Sequence, residues 1–239
     1  MASPTRADLS ATLAAHGLSL RGGWVPLAAD ALPALPDGRA AAVVWMVGVA
    51  GSGFWPHFKA SAFYQDGLPD PLDRWSAHIG HALATQLGGR ALFPFEGPPY
   101  FAFQRWADRS EPTQTSPLML RIHPHYGLWH AYRFALALPD ISVADAQALA
   151  AQQTTQGHTP PGSLCADCSG QPCLSACPVD AFTGNSYRMD ACAAHLRTEP
   201  AGDCMRLGCR ARRACPVGPE FRYAPEHAAF HMQAFTKSH

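Results

Sequence analysis

The sequence predicts an α+β protein in two parts: a sheet domain over residues 1–153 and a small cysteine-rich module with a C-terminal helix over residues 154–239. Three observations carry this expectation. Ala40 to Val49 is an unbroken apolar run, which reads as a strand covered on both faces. Leu118 to Ile122 and Leu128 to Leu138 read as two strands joined through His123-Pro124-His125-Tyr126-Gly127, a hairpin with Gly127 in its turn. All eight cysteines fall between Cys165 and Cys215.

The remaining elements follow from local signals. Residues 4 to 16 read as a helix, with Ser3 as N-cap, Pro4 in the first turn and Gly17 as the C-terminal stop. Gly51-Ser52-Gly53 ends the apolar strand. It lacks the lysine of a P-loop and the spacing of a dinucleotide fingerprint, so a plain strand-to-helix turn is expected. Asp70-Pro71 opens a second helix, along which Ile79, Leu83 and Leu87 recur at helical spacing until Gly88-Gly89. Arg90 to Phe95 reads as a strand and residues 99 to 108 as an aromatic helix. A helix capped by Ser142 follows, then a linker rich in Thr, Pro and Gly from Thr154 to Gly162. A last helix, around Glu226 to Phe235, is expected to pack back through Phe230 and Phe235.

Composition narrows the function. Lys plus Arg and Asp plus Glu balance at 18 each, and 47% of residues are hydrophobic. A neutral chain argues against nonspecific capture by nucleic acid or an anionic membrane. No apolar stretch is long enough for a transmembrane helix. The N-terminal residues lack the apolar core of a secretory signal, so a cytoplasmic location is expected.

The cysteines form two groups with a shared ending. Cys165, Cys168, Cys173 and Cys177 make the first, closed by Ala176-Cys177-Pro178-Val179. Cys192, Cys204, Cys209 and Cys215 make the second, closed by Ala214-Cys215-Pro216-Val217. A Cys-Pro ending on a closely spaced run marks the bacterial two-cluster pattern, in which the cysteine before proline ligates the other [4Fe–4S] cluster. Applied here, Cys165, Cys168, Cys173 and Cys215 hold one cluster, and Cys177, Cys192, Cys204 and Cys209 hold the second. The spacing is looser than the common pattern, with four residues rather than two between Cys168 and Cys173. Zinc is the alternative, because Cys165 and Cys168 alone would suit it. A free, buried Cys192 beside a degenerate second cluster is another. Disulfides are not expected without an oxidising compartment. Such a module has little room for a core of its own, and its folding is expected to depend on the clusters.

Arg197, Arg206, Arg210, Arg212, Arg213 and Arg222 crowd the second group. They either form a solvated face, compensate the anionic cluster or dock an acidic redox partner. A flavodoxin, ferredoxin or reductase is the expected electron donor.

Two segments resemble known families. Asp190-Ala191-Cys192-Ala193-Ala194-His195-Leu196-Arg197-Thr198-Glu199 is similar to the segment around the lone cysteine of epoxyqueuosine reductases, which, like reductive dehalogenases, pair two [4Fe–4S] clusters with cobalamin in a nitroreductase-like domain. Ile122-His123-Pro124-His125-Tyr126-Gly127-Leu128-Trp129, with Phe101-Ala102-Phe103-Gln104-Arg105 upstream, resembles the MMACHC (CblC) cobalamin-processing proteins. That likeness implies a nitroreductase-like sheet that binds a corrinoid, with Phe103, Gln104, His125 and Trp129 as candidates for its pocket. His125 stands where the family has an arginine that helps bind glutathione, which turns the expectation from thiol-dependent dealkylation to reduction by clusters in the same chain. The resulting expectation is electron transfer to a bound cobalamin, for cobalt reduction, decyanation or upper-ligand removal. Two alternatives stay open: a ferredoxin-type carrier with an adaptor domain and no corrinoid, and a cobalamin-dependent reductase of a small organic substrate. No general acid stands out for the last.

Overall fold

The computed structural model describes residues 5–156 and 164–238. Along the chain run α1 (Arg6–Ala14), β1 (Ser19–Trp24), β2 (Val43–Ala50), α2 (Trp55–Lys59), α3 (Ala62–Gln65), α4 (Pro71–Gln86), β3 (Arg90–Leu92), α5 (Phe103–Ser110), β4 (Gln114–Thr115), β5 (Arg121–Ile122), β6 (His130–Leu138), α6 (Val143–Gln156), α7 (Pro172–Ser175), α8 (Met189–Thr198), α9 (Asp203–Leu207), α10 (Arg210–Arg213) and α11 (Pro225–Ser238). The fold class is α+β. No helix among the described residues is long and apolar enough to cross a membrane.

The chain forms two compact units. The first takes the chain up to Val49, then Gly53–Pro112, then Ala131 through α6. The second takes Ala50–Ser52, Thr113–His130 and the described residues from Leu164 onward. Residues 113–130, placed by the sequence with the sheet domain, thus cluster with the cysteines. The physical reason is apolar area: Leu118, Ile122 and Leu128 join Cys177, Ala181, Ala211 and Cys215 in one buried core. A short metal-type module gains from its own chain the hydrophobic surface it lacks.

The first unit is built on a four-stranded sheet in the order β1-β2-β6-β3. β1 pairs antiparallel with β2, and β3 with β6. Every β2 residue from Val43 to Val49 is buried, as the apolar run predicts. Val44 and Met46 pack with Trp24, Leu92, Phe103 and Trp106. Val43, Trp45 and Val47 point the other way in a pleated strand and are buried as well. Arg21 is only 1% exposed. Its Nη1 donates to the Val49 carbonyl at 2.8 Å, and its Nη2 pairs with Glu111 at 2.8 Å. Tyr132 Oη donates to the same carboxylate at 2.7 Å, so the buried charge is paired and its partner hydrogen-bonded.

Helix boundaries differ from expectation in instructive places. Thr5 is the N-cap of α1, in a capping box with Asp8; the expected cap Ser3 lies outside the described residues. α5 starts at Phe103 rather than 99, because Pro98 and Pro99 bias the chain before it away from helix. β3 stops at Leu92. Ser142 caps α6, its Oγ accepting from Asp145 N at 3.0 Å. Most of the expected linker, from residue 157, lies outside the described residues.

The expected long hairpin is absent. Leu118 to Leu120 form a turn, with Ser116 N donating to Leu120 O and Met119 N to Ser116 O, each at 2.9 Å. β5 pairs with β4 instead. The turn itself survives in short form: His123 and Gly127 exchange both backbone hydrogen bonds at 2.9 Å, and Gly127 has φ +57°. A Cβ on Gly127 would sit 2.0 Å from the Val217 carbonyl oxygen, and one on Gly218, φ +62°, 2.6 Å from the Tyr126 carbonyl carbon. Two glycine backbones therefore meet where no side chain fits.

Gly127→Ala is expected to destabilise the protein by more than about 2 kcal/mol, since backbone on both sides must move. Gly170→Ala has the same left-handed strain, at φ +71°, with nothing within 4 Å, and serves as the control. Chemical denaturation separates the two; equal losses would show that the close approach contributes nothing.

Candidate metal centre

All eight cysteines are free thiols, and all lie in the second unit. Cys177, Cys204 and Cys215 are buried and the other five half-buried. Their neighbours fall into two groups that cut across the sequence runs. Cys165, Cys168, Cys173 and Cys215 line one cavity, whose walls include Leu118, Ile122, Leu128 and Leu164. Burial pushes the Cys165 thiol up to about 11, and Cys215, Cys173 and Cys168 push it the same way. Cys173 is raised by burial and then by Cys215 and Cys168. In the other group, burial raises Cys192, with Cys177 and Cys204 adding. Cys209 is pushed up to about 11 by burial, with Cys204 and Cys192 adding. Cys215 thus stands among the cysteines of the first run, and Cys177 among those of the second.

Short turns and helices hold these thiols. Cys168 N donates to Cys165 O at 3.4 Å, and Gln171 Nε2 donates to the same carbonyl at 2.9 Å. Gln114 Oε1 accepts from Leu164 N at 3.2 Å, which ties the start of the cysteine run to β4. α10 packs on α7 and α9, and α11 on α8 and α9. Hydrogen-bond donors reach several sulfurs. Ala181 N donates to Cys177 Sγ at 3.3 Å. Backbone bonds from Arg212 and Ala211 reach Cys209, and one from Val217 reaches Cys215. Tyr187 bonds to Cys192; burial comes first and this bond second in holding the phenol protonated well above its usual range. Such donors stabilise thiolates and, in a loaded site, tune potential.

Four thiols around one cavity, with amide donors behind them, is thiolate-cluster chemistry. Among the described residues, no three or more His, Cys, Asp or Glu side chains converge as for a single ion. A zinc ion needs all its sulfurs about 2.3 Å from one point; a [4Fe–4S] cluster, with its ligands spread over four irons, does not. The residues of the first group fit a cluster.

The arginines beside the second group divide by role. Arg212 is an anchor: its Nε donates to Leu128 O at 3.1 Å, its Nη2 bonds the same carbonyl, and its guanidinium lies 4.7 Å from the Trp129 ring and 4.4 Å from Tyr223. Arg213 donates to Gly208 O at 3.2 Å, and Arg222 to Arg213 O at 2.8 Å. Arg197, Arg206, Arg210 and Arg222 are exposed.

The four residues expected around a corrinoid divide between the two units. Phe103 is in the core of the first unit against Trp106, and Gln104 is exposed on α5. Trp129 is buried in the second unit against Tyr223. His125 is exposed in the turn, its ring centre 4.9 Å from that of Phe221. Two residues lie in each unit. His123 Nδ1 accepts from His125 N at 3.0 Å and Tyr126 N at 3.2 Å, so that nitrogen shapes the turn. Ser52, in the glycine turn, is engaged by Ala224 N at 2.8 Å and His227 Nδ1 at 2.9 Å. Tyr187 and Ser116, which lines the cavity with the first group, carry no signal in the sequence.

No family description matches the chain, and no curated protein matches it. Among solved structures, the chain is similar to epoxyqueuosine reductase from Bacillus subtilis at 17% identity, over 79% of this chain and 54% of that one, with a TM-score of 0.40. It spans about half the length of that protein.

At neutral pH a thiol with a pKa near 11 is about one part in ten thousand thiolate, and thiolate is the alkylated form. Iodoacetamide labelling of Cys165 and Cys209 in the metal-free protein, followed by peptide mass spectrometry, is expected to keep accelerating past pH 10. A rate that levels off near pH 9 would show that burial does not hold these thiols protonated.

Proposed function

We propose that this chain is an iron–sulfur electron-transfer protein. Its second unit holds two [4Fe–4S] clusters, one on Cys165, Cys168, Cys173 and Cys215, the other on Cys177, Cys192, Cys204 and Cys209. The observation that carries this reading is the crossing of the two groups: each cysteine that precedes proline stands among the thiols of the opposite run. That is the ligand exchange of two-cluster ferredoxins.

A bound [4Fe–4S] cluster supplies one-electron transfer at a potential set by its surroundings. The chain supplies the surroundings. The eight thiols bind and are deprotonated on loading, which couples assembly to pH. Amides of Ala181, Ala211, Arg212 and Val217 and the Tyr187 hydroxyl offset thiolate charge. Leu118, Ile122, Leu128 and Leu164 exclude water from the first group. Exposed Arg197, Arg206, Arg210 and Arg222 suit an acidic electron donor such as a flavodoxin or ferredoxin.

The corrinoid acceptor and the nitroreductase-like sheet rest on the segment resemblances alone. Phe103 and Trp129 are packed in separate cores and Gln104 and His125 are exposed. Neither unit by itself gathers these four residues into a pocket.

Anaerobic reconstitution is expected to give about eight irons and eight sulfides per chain, two clusters of four. Cys215→Ala and Cys165→Ala are expected to erase the same electron paramagnetic resonance signal, and Cys177→Ala and Cys209→Ala the other. If Cys215→Ala instead shares its loss with Cys209→Ala, the crossing is wrong. A colourless protein loaded with zinc would end the cluster reading.

A further inference from the structure

Ser116 is 4% exposed, and its Oγ has no hydrogen-bond partner among the described residues. Its backbone is satisfied: the amide donates to Leu120 O and the carbonyl accepts from Met119 N. The hydroxyl alone is orphaned. Leaving a buried hydroxyl unpaired forfeits its full hydration, and an alanine would avoid that cost. The same residue lines the cavity of Cys165, Cys168, Cys173 and Cys215. Most of the other lining is apolar, from Pro117, Leu118, Ile122, Leu128 and Leu164. Gln171 also lines it, but its amide oxygen does not pair with the Ser116 hydroxyl. None of the lining side chains, the four cysteine sulfurs included, accepts from the hydroxyl, which leaves a sulfur of the group those cysteines bind as the acceptor the site would supply.

On the reading of this cavity as a cluster site, we infer that Ser116 is a potential-setting residue, whose hydroxyl donates a hydrogen bond to a sulfur of the cluster held by Cys165, Cys168, Cys173 and Cys215. It is a positioning residue and not a ligand. A donor to sulfur stabilises the reduced, more negative state and raises the potential. The second group, Cys177, Cys192, Cys204 and Cys209, does not line this cavity and has the Tyr187 hydroxyl instead. The two clusters are therefore tuned by different hydroxyls, one aliphatic and one phenolic.

The test uses the full chain, reconstituted anaerobically, with iron and sulfide measured first and both midpoint potentials then read by a redox titration followed by electron paramagnetic resonance. In Ser116→Ala one midpoint is expected to fall, by about tenfold in the reduction equilibrium, which is 59 mV for one electron. The other stays and is the internal control. Ser116→Thr keeps the hydroxyl and is expected to stay near the wild-type value. Ser116→Val, nearly the shape of threonine without its hydroxyl, should move with alanine. Unchanged midpoints in fully loaded Ala and Val variants overturn the inference, as does an equal shift in both midpoints or a threonine variant that behaves like valine. Should the apolar variants load poorly, electron–nuclear double resonance on the reduced wild type decides: a rapidly exchanging proton coupled to one cluster supports the bond, and its absence overturns it. A wild type that assembles no cluster removes the proposed function as well, whereas two clusters with potentials indifferent to Ser116 remove this inference alone.

Discussion

The meeting of Gly127 with the chain just past Cys215 sets the geometry of the second unit. Its two glycines let backbone approach backbone more closely than any side chain allows. That approach brings Leu118, Ile122 and Leu128 over the thiols. Without this borrowed segment the cysteine run would have little apolar surface to bury, and short metal-type modules are marginal on their own. Arg212 fastens the same junction from the other side, clasped by Trp129 and Tyr223 and bonded to the Leu128 carbonyl.

Burial gives the thiols two opposed properties. It makes Cys165, Cys173, Cys192, Cys209 and Cys215 weaker acids than a free thiol, so that without metal they pack as small apolar side chains. It also places amide donors close enough to carry thiolate charge once the sites are loaded. The crossing of Cys177 and Cys215 ties the two groups together, so neither is a self-contained stretch of sequence. In the proposed electron carrier, two centres held by these thiols would share one packed core.

Much of the first unit was legible in the sequence because its signals are local. The run from Ala40 to Val49 is apolar at every position, and a doubly covered strand is what such a run forms. Asp70-Pro71 and Gly88 bracket α4 with terminus chemistry that needs no tertiary contact. The pairing of Cys215 with Cys165 was legible for a different reason: proline after the last cysteine of each run points to exchanged ligands. What could not be read depends on contacts distant in sequence. Leu118 to Leu120 looks like a strand, but Ser116 and Leu120 close a turn and β5 is left with only β4 to pair with. The likeness of Phe103 and Trp129 to cofactor-lining residues is equally ambiguous, because an aromatic side chain suits a core as well as a ligand. Ser116 and Tyr187 have no local signature, as only the fold sets Tyr187 against Cys192 and Ser116 in the wall of the first cysteine cavity.

Ser52 carries a consequence for how the chain is made. It sits in the turn directly after β2, yet its hydroxyl is bonded to Ala224 and His227, 172 and 175 residues further on. During synthesis that hydroxyl stays without these two partners until residues 224 and 227 have been made. The early strand must then persist with an unfinished end, and closure of so long a loop is among the slower events available to a chain of this size. α11 is in this sense a latch that arrives long after the turn it holds, and a nascent chain stopped short of Ala224 leaves the Ser52 hydroxyl without either partner.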